Sequence, residues 1–269
     1  ISKLLSENIF VVIITGLLLS YIVTVRSLPF IIFFSKKKKL TAKINERSSH
    51  SEEIPNIGGV AITAGIYIVT LSLSYFILNY KDSKILIALF IPLLILLFIG
   101  LKDDLIGIKA NKKLITEILT GSAFVILTDF RVDTFYGLFG IFEINYYVSF
   151  ILSVFVFVIT INSYNLIDGI DGLAGGFGVI SIFCLFTLCY LTENFLGIIL
   201  CISIIGSLIG FLQFNLGLKK RKIFMGDTGS LVIGFLISVV VLFILNSKNN
   251  FNSTFDNIPI LILSILSYP

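Results

Sequence analysis

The chain has 269 residues, of which 57% are hydrophobic and 13% charged, where an ordinary soluble domain carries about 25% charged residues. So little charge cannot cover a soluble fold with polar surface. A net charge of +4 is too small to call for a nucleic-acid partner, and the three cysteines lie inside apolar runs, which excludes a disulfide framework or a spaced zinc site. The composition points to an all-α, polytopic membrane helical bundle that forms a single integral-membrane domain over 1–269.

A bilayer core takes roughly 20 apolar residues per helix. That length predicts nine spans: 9–34, 58–79, 85–101, 113–130, 146–161, 173–191, 195–213, 229–246 and 258–269. The first carries Arg26 and Pro29 and is too long for one straight crossing, so a bend or an early end is expected. The chain starts at Ile1 and stops inside an apolar run at Pro269, so both ends read as cut. No small-residue cleavage pattern follows the first apolar run.

Nine alternating spans sort the loops into two sets. The set 35–57, 102–112, 162–172 and 214–228, with flanking residues, holds fourteen of the twenty basic residues. The other set, with the N-terminus, holds Lys3, Lys81, Lys84, Arg131 and Lys248, five in all. The positive-inside rule places the first set in the cytoplasm and the N-terminus outside.

The polar residues that are hardest to explain structurally fall on that same side. An acidic side chain costs about 2.5–3.5 kcal/mol at the centre of a membrane helix, so several carboxylates at one face suggest a shared site holding a cation. In chain order, His50 lies on the polar loop that leads to Pro55-Asn-Ile-Gly58-Gly59. It is a candidate substrate contact, with plain solvation as its alternative. The Pro-Gly-Gly segment reads as a turn into a tightly packed helix. Asp103-Asp104 follows the third span, and the two like charges are relieved by a divalent metal or a basic neighbour. Lys113 offers a point charge to a phosphate or snorkels to the headgroups.

The segment Asn162-Ser-Tyr-Asn165-Leu-Ile-Asp168-Gly169-Ile170-Asp171-Gly172 is more specific. Asn162, Asn165 and Asp168 recur every third residue, which puts consecutive members on one helix face. Gly169 and Gly172 free the backbone to turn Asp171 back toward the same site. Hard oxygen ligands suit magnesium or manganese rather than zinc, while helix capping explains one or two of these residues but not four. The small residues of 172–178 lack the Lys-Ser/Thr of a P-loop and suit close helix packing. In Phe224-Met-Gly-Asp227-Thr-Gly-Ser230, Thr228 or Ser230 is expected to cap the next helix, and Asp227 to be the metal ligand. Asn215 places one amide at the end of the seventh span. The basic run Lys219 to Lys222 reads as a topology determinant.

With these elements in this order, the sequence resembles the polyprenyl-phosphate N-acetylhexosamine-1-phosphate transferase family, from about Arg47 to Pro269. The resemblance implies a helical membrane enzyme with its active site at the cytoplasmic face of the bacterial inner membrane. It implies a UDP-sugar donor, an undecaprenyl-phosphate acceptor and Mg²⁺, with Mn²⁺ as a substitute. It assigns Asp227 to the metal, Asn165 to the metal and diphosphate, and Lys113 to the diphosphate. Gly169, Ile170, Asp171 and Asn215 fall around the uridine, and Asp103 and Asp104 are given catalytic roles. Asp168 is taken as catalytic and Asn162 as substrate-binding alongside them.

Three departures stand out. Gly107 replaces the lysine that the muramoyl-pentapeptide member has three residues after the acidic pair, and the aspartate of many GlcNAc-1-phosphate relatives. The connection from Asn215 to Asp227 is about two residues longer than is common. The family's His-rich cytoplasmic loop is expected beyond Pro269.

The expected reaction is attack of the acceptor phosphate on the donor's β-phosphorus, with a covalent aspartyl route through Asp103 or Asp104 left open. The alternatives are the muramoyl-pentapeptide reaction within the same family, an ion-coupled transporter, or a dead regulator. The oligomeric state stays open, a homodimer included, and the sugar is not specified.

Overall fold

The computed structural model describes residues 8–38, 40, 54–77, 80–135, 142–217 and 221–246. Within them lie eight helices: α1 (Ile9–Lys38), α2 (Gly59–Ile77), α3 (Tyr80–Ile106), α4 (Ala110–Thr128), α5 (Tyr146–Ile167), α6 (Leu173–Leu191), α7 (Phe195–Asn215) and α8 (Gly226–Leu245). Seven of them are long and apolar enough to cross a membrane. The exception is α4, whose first half carries Lys112, Lys113 and Glu117. The expected ninth span, 258–269, lies outside the described residues.

α1 neither stops nor breaks at Pro29. It runs for 30 residues as one helix, a length of about 45 Å at 1.5 Å per residue. That exceeds a hydrocarbon core of about 30 Å, so its last turn, Lys36 to Lys38, lies among polar surroundings. α3 also outruns its apolar stretch, carrying Asp103 and Asp104 on a continuous helix. It ends at Gly107, whose φ of 75° and N–H to the Asp103 carbonyl at 2.9 Å make a left-handed cap. That left-handed turn accounts for glycine at this position.

α8 is the axis of the bundle. Every residue from Thr228 to Leu245 is buried, and α2, α3, α5, α6 and α7 all pack on it. An all-round apolar helix is the form a fully enclosed membrane helix takes. Since lipid is as apolar as leucine, close packing rather than water exclusion holds such helices together. Phe157 stacks on Phe235 with ring centroids 5.1 Å apart, and Phe124 meets Phe157 edge-on at 5.6 Å. α1, α4 and α5 turn Phe10, Ile14, Leu119, Ile126, Ile151 and Phe155 outward, the surface expected against acyl chains.

The small residues after Gly172 pack as expected in part. Tyr164 lies against Gly178 and donates to the Ala174 carbonyl at 2.7 Å, and Leu212 lies against Gly175. Gly176 faces open space. The C-terminal ends of α3, α5 and α7 meet the N-terminal ends of α2, α4, α6 and α8 at one end of the bundle. The polar motifs gather there.

Candidate active site

The Pro-Gly-Gly segment is more than a turn. Phe224 N–H donates to the Pro55 carbonyl at 2.8 Å, Gly58 N–H to Phe224 at 3.0 Å, and Gly59 N–H to Met225 at 2.9 Å. This two-way pairing delivers Gly226 to the start of α8 with φ 71°. A Cβ there would collide with the Asn56 carbonyl and stand 2.6 Å from the Asp104 carboxylate, so only glycine fits.

α8 is then capped from outside its own sequence. Neither Thr228 nor Ser230 caps it, and its N-cap Met225 makes no side-chain cap bond. Asp104 instead accepts from the N–H groups of Asp227 and Thr228, each at 2.9 Å, and from the Thr228 hydroxyl. A carboxylate facing free N–H groups at the positive end of a helix is favourable on both counts. Asn56 Nδ2 holds the same aspartate, donating to its carbonyl at 3.1 Å.

Asp103 points elsewhere. Lys113 Nζ, on α4, forms an ion pair with Asp227 and lies 3.5 Å from Asp103 Oδ2 and 3.2 Å from Asn165 Oδ1. Asn165 Nδ2 donates to Asp227 Oδ1 at 2.8 Å and to Ser230 at 2.7 Å. Three helices thus aim two carboxylates and an amide oxygen at one ammonium on a fourth, whose side chain is 13% exposed. Asp103 and Asp227 both face the Lys113 ammonium, an arrangement of like charges that needs a cation or proton between them.

Among the described residues no three His, Cys, Asp or Glu side chains form a metal cage. The donor set still suits Mg²⁺, which keeps several waters and uses one or two carboxylates. Asp227, Asp103 and Asn165 are the residues that could hold it, at the position the Lys113 ammonium occupies.

Asp168 follows the last turn of α5. Burial, and then the charges of Asp104 and Asp227, push its carboxyl up to about 7. Asp171 does not return to this cluster: it pairs with Lys222, which also sits over the Phe224 ring at 5.3 Å. Of the two expected turn glycines, Gly172 has a positive φ of 77° and Gly169 does not. Ile170 is exposed. Asn215, only 5% exposed, braces two loops: its Oδ1 accepts from Gly172 N–H at 2.6 Å and its Nδ2 donates to the Ile223 carbonyl at 3.1 Å. Asn162 lies one turn deeper than Asn165 and donates to Glu117. His50 is outside the described residues.

The sequence reading missed Glu117, Asn56 and the pairing of Lys222. Glu117 had a signal, an acid inside an apolar run four residues after Lys113. Asn56 had none beyond its place directly after Pro55.

Residues 85–245 match the model of glycosyl transferase family 4. The chain is similar to the phospho-N-acetylmuramoyl-pentapeptide-transferase of Orientia tsutsugamushi (strain Ikeda), 30% identical over 264 residues, which cover 84% of this chain and 70% of that one. The enzyme of that name from Enterococcus faecalis is 32% identical, covering 83% and 73%. The undecaprenyl-phosphate alpha-N-acetylglucosaminyl 1-phosphate transferase of Escherichia coli (strain K12) is 27% identical, covering 85% and 61%.

Proposed function

The chain belongs to glycosyl transferase family 4, and on that footing we propose that it transfers an N-acetylhexosamine-1-phosphate from a UDP-sugar to undecaprenyl phosphate, releasing UMP. The observation that carries this reading is the convergence of Asp103, Lys113, Asn165 and Asp227 from four helices at one end of a membrane bundle. An acceptor anchored by its lipid presents its phosphate at that depth. The basic loops flank this end, which supports placing it in the cytoplasm. The acids stand at helix ends, not at the midplane of broken helices as in a transporter.

In the reaction a new bond joins an acceptor phosphate oxygen to the donor's β-phosphorus. The bond from that phosphorus to the bridging oxygen breaks, and UMP departs with the oxygen. Asp227, Asp103 and Asn165 would hold Mg²⁺, which would supply neutralisation of the diphosphate charge. Lys113, freed from those oxygens, offers its ammonium to the phosphates as a point charge. Asp104 holds α8, and with it Asp227, at a fixed height. A phosphomonoester has its second pKa near 6, so the acceptor is already an anion at neutral pH and no side chain need act as its base. The pair Asp103 and Asp104 therefore serves placement and charge, and direct attack is the route.

The test is UMP release by the purified full-length protein with undecaprenyl phosphate, Mg²⁺ and a panel of UDP-N-acetylhexosamines. One donor is expected to yield UMP and a lipid-linked product, and EDTA to stop both. Folded protein that turns over none of the panel contradicts the reading.

A further inference from the structure

Lys113 and Glu117 stand four residues apart on α4, and Asn162 and Asn165 three apart on α5, so each pair shares a helix face. The four make two rungs between the helices. In the upper rung Lys113 donates to Asn165 at 3.2 Å. In the lower rung Asn162 Nδ2 donates to Glu117 Oε2, while the same amide also donates to the Val158 carbonyl at 2.8 Å. Glu117 is 0% exposed, and its second oxygen, Oε1, has no hydrogen-bond partner among the described residues. A buried acid with an unsatisfied oxygen is costly inside a membrane and marks a functional position. The opposite charge that bears on it is Lys113, which the upper cradle holds away.

We propose that Glu117 is a positioning residue that receives Lys113 when Asp103 and Asp227 hold a divalent cation and no donor diphosphate is bound. The proposal rests on the reading of Asp227 as the cation ligand. An ammonium and a metal ion cannot share the same three oxygens. Lys113 must give them up, and its flexible four-carbon stem lets it turn to another anion. Glu117 Oε1 lies four residues along the same face, buried and without a partner. Paired there, Lys113 stays charged beside the cation site instead of competing for it. Without the Glu117 charge the lysine remains on Asp227, and the apparent metal affinity falls with the fraction of chains whose cradle is free.

The test is Mn²⁺ binding, read by electron paramagnetic resonance on the full-length protein without either substrate. Glu117→Gln is expected to weaken Mn²⁺ by about tenfold, the cost of a mostly occupied cradle. Lys113→Met should bind at least as tightly as wild type. Adding Glu117→Gln to Lys113→Met should then change affinity by less than about twofold, a coupling expected only between interacting residues. Glu117→Met, a second charge-free side chain of similar length, carries the same expectation should the glutamine variant not purify as a single species. Unchanged Mn²⁺ affinity in both charge-free variants overturns the proposal. So does an equal loss on the wild-type and Lys113→Met backgrounds, which means that Glu117 acts without the lysine. Wild-type protein that binds no Mn²⁺ overturns the metal reading itself, and the proposal falls with it.

Discussion

Asp103 and Asp104 are neighbours in sequence and serve different ends. Successive residues on an α-helix are turned by 100°, so one carboxylate faces the Lys113 cradle and the other the N-terminus of α8. The acidic pair was legible as a site, but its division of labour was not, because the partner N–H groups lie more than 120 residues away. Asp104→Ala is expected to cost about 2 kcal/mol of stability, the upper range for a lost helix cap, and to lower the melting temperature in detergent. Asp227→Asn should keep the fold, since it removes a charge at a span boundary, and should abolish metal-dependent turnover. Equal melting points for the Asp104→Ala variant and wild type would remove the capping role; retained turnover in Asp227→Asn would move the metal to the other acids.

Asp168 gives a prediction in pH. Its carboxyl is raised to about 7 in the folded chain, above its unfolded value near 3.9. Between those values the folded state holds the proton that the unfolded state has lost. The stabilisation is complete below the unfolded pKa and is lost as pH rises through the folded one, at most about 1.4 kcal/mol per pH unit for one proton. Metal-free protein should therefore melt at progressively lower temperature from pH 5 to about 7 and then level off. Asp168→Asn should remove the part of the slope due to this group. An identical slope in the variant would place the titration elsewhere.

At the scale of elements, hydropathy found the helices because a bilayer allows few other solutions for the backbone. It found α4 as a helix as well, although three charges in its first half keep it short of the length and apolarity of a membrane span. It misjudged the ends. α3 runs to Ile106 and not 101, because its last turn is polar yet held by Asn56 and the start of α8. Helix contacts were less legible: glycine is an open signal until a neighbour is known. A Cβ on Gly59 would overlap the backbone of Gly229, whereas one on Gly176 would meet nothing. Gly59→Ala should accordingly separate α2 from α8 and abolish folded protein in a detergent melt. Gly176→Ala should be neutral or stabilise by up to about 1 kcal/mol, the helix-propensity difference. A well-folded Gly59→Ala variant would show that the α2–α8 contact is looser than described.

For the whole molecule, the bundle is built around α8, which carries Asp227 in its first turn, is buried from Thr228 to Leu245 and packs against α2, α3, α5, α6 and α7. Placing Asp227 at the N-terminus of the most enclosed helix fixes its height against α3, α4 and α5, which bring Asp103, Lys113 and Asn165. The motif spacing disclosed which residues belong together, but not that Lys113 sits among the very oxygens expected to hold a cation. That follows only from packing α4 against α3 and α5. Direct transfer of a sugar-1-phosphate at this cluster is open to single-turnover rapid quench. Full-length enzyme is mixed with Mg²⁺ and the active UDP-sugar, with and without undecaprenyl phosphate, and UMP, lipid product and intact-protein mass are followed together. Direct attack yields UMP and lipid-linked sugar diphosphate in equal amounts when both substrates are present, and no UMP without the acceptor. A stoichiometric burst of UMP without acceptor, with a matching mass increase on Asp103 or Asp104, would contradict it.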